Sequence, residues 1–316
     1  MMRAAFLFGF FGFGAKAAVF PLHGWLPEAS AAPSPVTALL HAVAVVNTGV
    51  FAVIRLVWYV FGPGFLAGTS VQAVCSVTVS FTVVYAAVMA LKERHFKRRL
   101  AYSTVSNLSY MLFGVLLATR EGLLGGMAHM LFHGTMKMLL FLCAGSFLHE
   151  TGHAYLYEIN GAGKRMPVTF ACYTLGALSL TGIPGLCGFI SKWKLIEAAV
   201  ADGSVYALAG LLCLITAALL CAIYSITVSI RAFFPPSGTV CYPEEAAGQD
   251  CHTKGQFPED ADGSAGRPAV CFPEGRKEPG WRMMGPILLF ALGNIFFGLY
   301  PEPVLRFLEK IAAGSL

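Results

Sequence analysis

Charged residues are scarce in this sequence. Only 12% of the 316 residues are Asp, Glu, Lys or Arg, whereas 56% are hydrophobic. A soluble globular domain carries about twice that charged fraction, so the composition excludes an ordinary water-soluble protein. Apolar runs long enough to cross roughly 30 Å of hydrocarbon occur instead near residues 4–21, 35–61, 71–91, 101–119, 122–148, 166–190, 205–233 and 283–300. The sequence therefore predicts an integral membrane protein with eight spans, several of them interrupted.

The spans also lack the alternation of polar and apolar residues that marks the strands of a membrane barrel. They are apolar throughout, so the predicted fold class is all-α, a polytopic bundle of transmembrane helices. Two spans are predicted to be broken helices, because four prolines between residues 21 and 35 follow the first run and Pro184–Gly185 interrupt the sixth. Broken helices in corresponding places are typical of transporters built from inverted repeats.

A metal-binding cysteine motif of the CxxC type is missing as well. Six of the nine cysteines lie in or at the ends of spans, where they act as small apolar residues. The other three, Cys241, Cys251 and Cys271, lie in a stretch rich in proline, glycine and acid at 234–282, which is predicted to be a flexible loop. A metal site there, with His252 as fourth ligand, is a minor alternative, and no metal or cofactor is predicted.

Positive charge is concentrated in one short segment. The stretch LKERHFKRRL, between the third and fourth spans, contains five of the 22 basic residues. By the positive-inside rule, the loop at 92–99 is predicted to be cytoplasmic. Alternation then puts the loop at 234–282 on the same side and the C-terminus outside. We interpret this charge as a topology signal and not as a nucleic-acid surface.

Three ionisable side chains lie inside the fifth span, in the segment AHMLFHGTMKM. His129, His133 and Lys137 are the only such groups between Gly122 and Leu148, and their spacing by four puts them on one face of a helix. A charge at mid-bilayer costs about 2.5–3.5 kcal/mol on insertion scales, so it usually marks a functional site. The spacing indicates a polar stripe that faces the inside of the bundle.

Other spans also contain ionisable or polar side chains. Lys16 precedes the first break and Lys192 follows the second, whereas Lys194 is interpreted as a side chain that reaches the headgroups. Histidine titrates near neutral pH, and a lysine removed from water holds its proton less tightly. We therefore predict a proton relay in which lysines store protons and histidines link them. Further polar side chains are predicted to share helical faces with it: Thr37, His41 and Thr48 on the second span, and Ser103, Ser106, Asn107 and Tyr110 on the fourth.

One motif favours a different function. Residues 149–153 read HETGH, the pattern of zinc proteases in which two histidines bind the metal and the glutamate is the base. That site needs one helix through all five residues and a third ligand. Gly152 weakens such a helix, and no obvious third ligand follows, so a membrane zinc protease remains the less favoured alternative.

Four longer stretches resemble a known family. FGAKAAVFPLHGWLPEASAAPSPVTALLHA, FKRRLAYSTVSNLSYM, MAHMLFHGTMKMLLFLCAGS and SLTGIPGLCGFISKWKLI are similar to the antiporter-like membrane subunits of respiratory complex I (NADH-quinone oxidoreductase), membrane-bound hydrogenases and Mrp-type sodium/proton antiporters. The resemblance covers nearly the whole chain apart from 235–282. It implies the C-terminal part of an inverted-repeat proton-channel fold, and it implies a mid-membrane relay formed by Lys16, His41, His129, His133, Lys137 and Lys192.

The resemblance also implies a division of the chain and a set of partners. Residues 1–61 would be a remnant of the first repeat, 62–233 the second repeat with its broken helix near 184, 234–282 the loop, and 283–316 a C-terminal helix and tail. We expect an N-terminally short form in which Lys16 has lost its partner helices. Its implied partners are other membrane subunits of an ion-translocating complex, the lipid bilayer and protons or sodium, in a prokaryotic inner membrane. Redox chemistry would belong to partner subunits, and a non-conducting structural subunit is the open alternative.

Overall fold

The computed structural model describes residues 1–235, 240–241, 270–271 and 278–314, and these residues are mostly helical. The predicted all-α bundle is thereby confirmed. Between the helices, two short strands, β1 (Val240–Cys241) and β2 (Val270–Cys271), pair in parallel.

Most helices follow one another after a few residues, whereas residues 234–280 separate α12 from α13. A π-helical stretch, Leu56–Phe61, continues α4, and a 3-10 turn, Leu156–Ile159, precedes α9. In chain order the helices are α1 (Met2–Lys16), α2 (Trp25–Ala29), α3 (Ser34–Ala42), α4 (Val45–Arg55), α5 (Pro63–Leu66), α6 (Ser70–Lys92), α7 (Phe96–Leu116), α8 (Arg120–Thr151), α9 (Ala162–Arg165), α10 (Pro167–Thr181), α11 (Cys187–Asp202), α12 (Val205–Phe233), α13 (Trp281–Leu299) and α14 (Glu302–Ala312).

Five segments of the described chain are long and apolar enough to cross a membrane by length and composition. They correspond to five of the eight predicted spans and comprise Ser34–Phe61, Ser70–Lys92, Arg120–Thr151, Val205–Phe233 and Trp281–Leu299. The other three predicted spans contain α1, α7 and α10, of which α1 and α10 have only 15 residues each. Helix α7 is longer, but it carries many hydroxyl and amide side chains.

Helix α8 is the centre of the bundle. It packs against α3, α7, α10, α11, α13 and α14, and most of its residues are buried. Glycine allows its close approach to α7, since a Cβ on Gly114 would stand 2.6 Å from the Gly122 carbonyl oxygen. Small residues of this kind are typical of helix contacts inside membranes. Polar side chains on the faces of α8 are thus enclosed by other helices.

Both predicted breaks are present. Helix α1 ends at Lys16, and the chain resumes regular structure only at Trp25. Helix α10 ends at Thr181, and the chain turns through Gly182 and Gly185, whose φ angles are 100° and 89°, before α11 begins at Cys187. Each break leaves backbone groups at a helix end without partners in their own helix.

A third interruption was not predicted. The second apolar run is divided at Val43, with φ −129° and ψ −56°, so His41 lies in the last turn of α3. The prediction that Thr48 shares a face with Thr37 and His41 is wrong. Thr37 and His41 are buried, whereas Thr48 is exposed, because the interruption ends the helical register between them.

Two sets of helix ends lie together. At one end, the connection between α6 and α7 meets the segment after α8: the Phe96 N–H donates to the Ala154 carbonyl (2.9 Å) and the Leu156 N–H to the Arg94 carbonyl (3.0 Å). In a second place, residues of α4, α8 and α14 line a cavity of about 920 Å³. Helices α7 and α8 therefore run between these two ends of the bundle.

Candidate functional site

The predicted stripe on α8 is buried in the middle of the bundle. His129, His133 and Lys137 are all fully buried and lie on one face of α8. The ring centroids of the two histidines are 6.0 Å apart. The structure thus brings together three of the six predicted relay residues on a single helix.

Lys137 is held by oxygen atoms of α7. Its Nζ donates to the Leu100 carbonyl oxygen at 3.0 Å and to Ser103 Oγ. The same ammonium lies 6.0 Å from the centroid of the Phe141 ring, within reach of a cation–π interaction. A buried cation is tolerated only with such partners.

His41 also packs against Phe141. Its imidazole stacks on the Phe141 ring with 4.7 Å between centroids, and its Nε2 is 3.3 Å from Ser30 Oγ. Phe141 therefore contacts both His41 and the ammonium of Lys137. The second predicted helix thus contributes to the same site as α8.

His129 is held at both ring nitrogens. Nδ1 is 2.9 Å from Ser191 Oγ on α11, and Nε2 is 3.2 Å from Asn107 Oδ1 on α7. The Asn107 amide is oriented by its own Nδ2, which donates to the Ser103 carbonyl at 2.7 Å. Its oxygen therefore accepts from Nε2–H, which leaves Nδ1 as the nitrogen that gains or loses a proton.

Ser191 can serve both states of that nitrogen. Its Oγ lies 2.9 Å from His129 Nδ1 and 3.2 Å from the Gly188 carbonyl oxygen. When His129 is neutral, the hydroxyl can donate to Nδ1. When Nδ1 carries a proton, the hydroxyl can accept from it and donate to Gly188 instead.

His133 differs from its neighbours. Within the described part of the chain, neither of its buried ring nitrogens has a hydrogen-bond partner. Buried polar side chains normally have at least one. His133 lies between His129 and Lys137 on α8, so it is the least satisfied member of the stripe.

Lys192 is held by the end of the broken helix. Its Nζ donates to the carbonyl oxygens of Leu180 (2.7 Å) and Thr181 (3.1 Å) in the last turn of α10. It also lies 5.2 Å from the ring centroid of Tyr110, which in turn stacks on His129 at 5.6 Å. Lys192 thus adjoins the α8 stripe through Tyr110 and through its chain neighbour Ser191.

The remaining lysines are arranged differently. Lys16, at the end of α1, is exposed, so it is not buried with the other five predicted relay residues. Lys194, predicted to be at the surface, forms an exposed ion pair with Glu197 at 2.8 Å. We define the relay row as His41, Lys137, His133, His129 and Lys192.

The structure does not form the helix that the HETGH motif requires. Helix α8 ends at Thr151, and Gly152 has a left-handed conformation with φ 72°. His153 therefore lies outside the helix, where its Nδ1 is 3.4 Å from a Glu158 carboxylate oxygen. Among the described residues, no group of three or more His, Cys, Asp or Glu could hold a metal ion. The alternative site at Cys251 and His252 lies outside the described residues.

Comparison with known proteins shows the family to which the chain belongs. The sequence profile of the family described as NADH:quinone oxidoreductase/Mrp antiporter, TM matches residues 1–219. Subunit L of the F420H2 dehydrogenase of Methanosarcina mazei is 41% identical over 197 residues, which is 60% of this chain and 29% of that protein. Subunit L of the NADH-quinone oxidoreductase of Rickettsia conorii is 31% identical over 291 residues, 92% of this chain and 38% of that protein.

A solved structure agrees with the family. A chain in the structure of the Mrp complex from Dietzia sp. DQ12-45-1b superposes with a TM-score of 0.78 at 26% identity, covering 98% of this chain and 59% of that one. The chain belongs to the NADH:quinone oxidoreductase/Mrp antiporter transmembrane family, and the resemblance read from the sequence is confirmed. The matched part of this chain spans 29% of the length of the Methanosarcina mazei relative and 38% of the length of the Rickettsia conorii relative.

Proposed function

We propose that this protein is a membrane subunit of an ion-translocating complex of the complex I, hydrogenase or Mrp type, and that it conducts protons, or exchanges a cation for protons, along the relay row. One observation carries the proposal: five titratable side chains from three helices lie close to one another in the buried interior of the bundle. The cost of burying them favours a functional role over a structural one.

The contacts suggest how a proton would pass. Lys137 and Lys192 would hold protons at two places in the row, and the histidines would transfer them between these places. Ser191 has a partner for its hydroxyl in both states of His129. Neither ring nitrogen of His133 has a hydrogen-bond partner among the described residues. His133 could therefore form a transient hydrogen bond during proton transfer between His129 and Lys137.

The same proposal includes sidedness, division and partners. The loops at 92–99 and 234–282 would be cytoplasmic, in a prokaryotic inner membrane. Residues 1–61 would belong to a first repeat and 62–233 to a second, followed by the loop and the C-terminal segment 283–316. Other membrane subunits would be its partners, and Lys16, which is exposed, would join the path only through one of them.

The test is proton uptake into inverted membrane vesicles that contain the protein together with the proteins encoded beside it. We expect Lys137→Ala and Lys192→Ala each to lower the uptake rate at least tenfold at equal protein content. Lys194→Ala is the matched control, because it removes the same charge from a half-buried position at the surface of the same helix as Lys192. Its uptake rate is expected to stay at that of the unchanged protein.

If Lys137→Ala and Lys192→Ala take up protons as fast as Lys194→Ala and the unchanged protein, the proposal is overturned and the non-conducting structural subunit is favoured. Membrane insertion and assembly are measured in parallel by native gel electrophoresis. A loss of uptake that accompanies a loss of assembled complex would also count against a relay role for the residue concerned.

A further inference from the structure

We propose that the end of the bundle at the α6–α7 connection contains a binding site for a phosphate group. Side chains from α6, α7 and α12 and the segment after α8 line a cavity of about 320 Å³ there. Its size lies within the range of roughly 300–1,000 Å³ that is common for small-ligand pockets. The residues that matter to the argument are Lys92, Glu93, Arg94, Arg99, Tyr157 and Arg231.

The cavity has an excess of positive charge. Four basic side chains line it against one carboxylate, that of Glu93. That carboxylate is engaged by neighbouring groups, since Oε1 accepts the N–H groups of Arg94 and His95 at 3.0 Å each and Oε2 lies 3.6 Å from Arg98 Nε. An anion that entered the cavity would therefore meet an environment of net positive charge.

Arg99 distinguishes this cavity from a simple topology signal. The positive-inside rule concerns charges in loops, but Arg99 is only 5% exposed. One of its terminal nitrogens donates to the Leu91 carbonyl at 3.4 Å, and its guanidinium carbon is 6.0 Å from the ring centroid of Tyr224. Its buried Nε has no hydrogen-bond partner among the described residues. Burial of an incompletely paired guanidinium is costly, and an oxyanion in the cavity would reduce that cost.

Phosphate is the chemistry that fits these groups. Guanidinium groups bind phosphate oxygens through paired, charge-assisted hydrogen bonds, and a lysine adds a point charge. The cavity lies where apolar helices end, which is also the level at which the headgroups of anionic phospholipids lie, and basic pockets between transmembrane helices bind such headgroups. A free phosphate ion offers the same oxygens, so the source of the phosphate is decided by experiment.

The experiment measures the thermal unfolding midpoint of the purified protein under three conditions. These are phosphatidylcholine nanodiscs, nanodiscs in which part of the phosphatidylcholine is replaced by phosphatidylglycerol, and detergent with inorganic phosphate, for which chloride at equal ionic strength is the reference. We expect phosphatidylglycerol or phosphate to raise the midpoint. A response to phosphatidylglycerol alone identifies a lipid headgroup as the ligand, and a response to inorganic phosphate identifies the free ion.

The variants Arg94→Gln and Arg99→Gln are expected to weaken the response about tenfold in ligand concentration, as for the loss of a hydrogen bond to a charged group. Arg120→Gln is the matched control, because it removes the same charge from an exposed position at the other end of the bundle, away from the cavity and from Glu93. Arg94 is exposed, so its replacement keeps the test valid if Arg99→Gln does not fold. No rise in the midpoint with either ligand, or an equal loss in Arg94→Gln and Arg120→Gln, would overturn the proposal.

Discussion

At the scale of single residues, Ser191 is placed to hydrogen-bond a neighbouring histidine in either protonation state. It lies between His129 Nδ1 and the Gly188 carbonyl oxygen, at 2.9 Å and 3.2 Å. Its hydrogen can turn from one to the other without any movement of the backbone. The polar side chain therefore stabilises both the neutral and the charged imidazole, which a fixed donor or a fixed acceptor would not.

Replacement of Ser191 by alanine should consequently slow proton uptake. Loss of one hydrogen bond of about 1 kcal/mol predicts a reduction of roughly fivefold in inverted vesicles, smaller than that of Lys137→Ala. Ser109→Ala is the control, since that buried serine donates only to the Val105 carbonyl of its own helix, at 3.2 Å. An identical effect of the two replacements would indicate that Ser191 matters for packing and not for His129.

Residue spacing predicted the α8 part of the site, but it gave no information about contacts between distant segments. The interval of four put His129, His133 and Lys137 on one face because all three lie within the single helix α8. The burial of Lys97, outside the site, could not be predicted from spacing. Its Nζ donates to the Ala32 carbonyl at 3.1 Å, and that partner is 65 residues away in the chain. Local patterns contain no information about such contacts.

At the scale of elements, the breaks differ in how visible they are in the sequence. Pro184 and Gly185 predicted the break between α10 and α11. The interruption at Val43 has neither residue, and a nearby side chain stabilises it, since Asn47 Nδ2 donates to the Ala42 carbonyl at 2.9 Å. A side chain that replaces a lost helical hydrogen bond is compatible with many backbone conformations, so the sequence alone did not predict the interruption.

The packing of α11 against α10 at the second break should be intolerant of added volume. A Cβ on Gly188 would stand 1.9 Å from the Ser179 carbonyl oxygen, so Gly188→Ala must displace backbone. We expect it to destabilise the protein by about 1–3 kcal/mol, measured as a lowered unfolding midpoint in detergent. Gly293→Ala is the control, because a Cβ there meets no atom within 4 Å. Equal midpoints for the two variants would contradict the close approach of the helices.

At the scale of the whole molecule, the bundle has two distinct ends. The α6–α7 connection and the segment after α8 are joined by backbone hydrogen bonds at one of them. The C-terminal helix α14 lies with residues of α4 and the beginning of α8 around the larger cavity. The basic segment at 92–99 and α14 therefore lie at different ends of the bundle, and the assignment of either end to the cytoplasm stays a prediction.

Cysteine labelling tests that assignment. In a variant without native cysteines, a single cysteine at Arg98 or His149 should react with a membrane-impermeant maleimide added to inverted vesicles, in which the cytoplasmic surface faces outward. A cysteine at Glu121, exposed at the other end of α8, should react only after the membrane is permeabilised. The reverse pattern would place the basic loop outside the cell.

The two lysines of the relay row share uncharged hydrogen-bond partners, and this affects the free-energy difference between their charged and neutral forms. Each ammonium is held by uncharged oxygens, Leu100 and Ser103 for Lys137 and Leu180 and Thr181 for Lys192. Removal of one partner from a buried ion pair costs about 3–5 kcal/mol, and a proton that leaves either lysine separates no such pair. The charged and neutral forms therefore differ less in free energy than they would beside a carboxylate, which is what the proposed relay requires of both lysines.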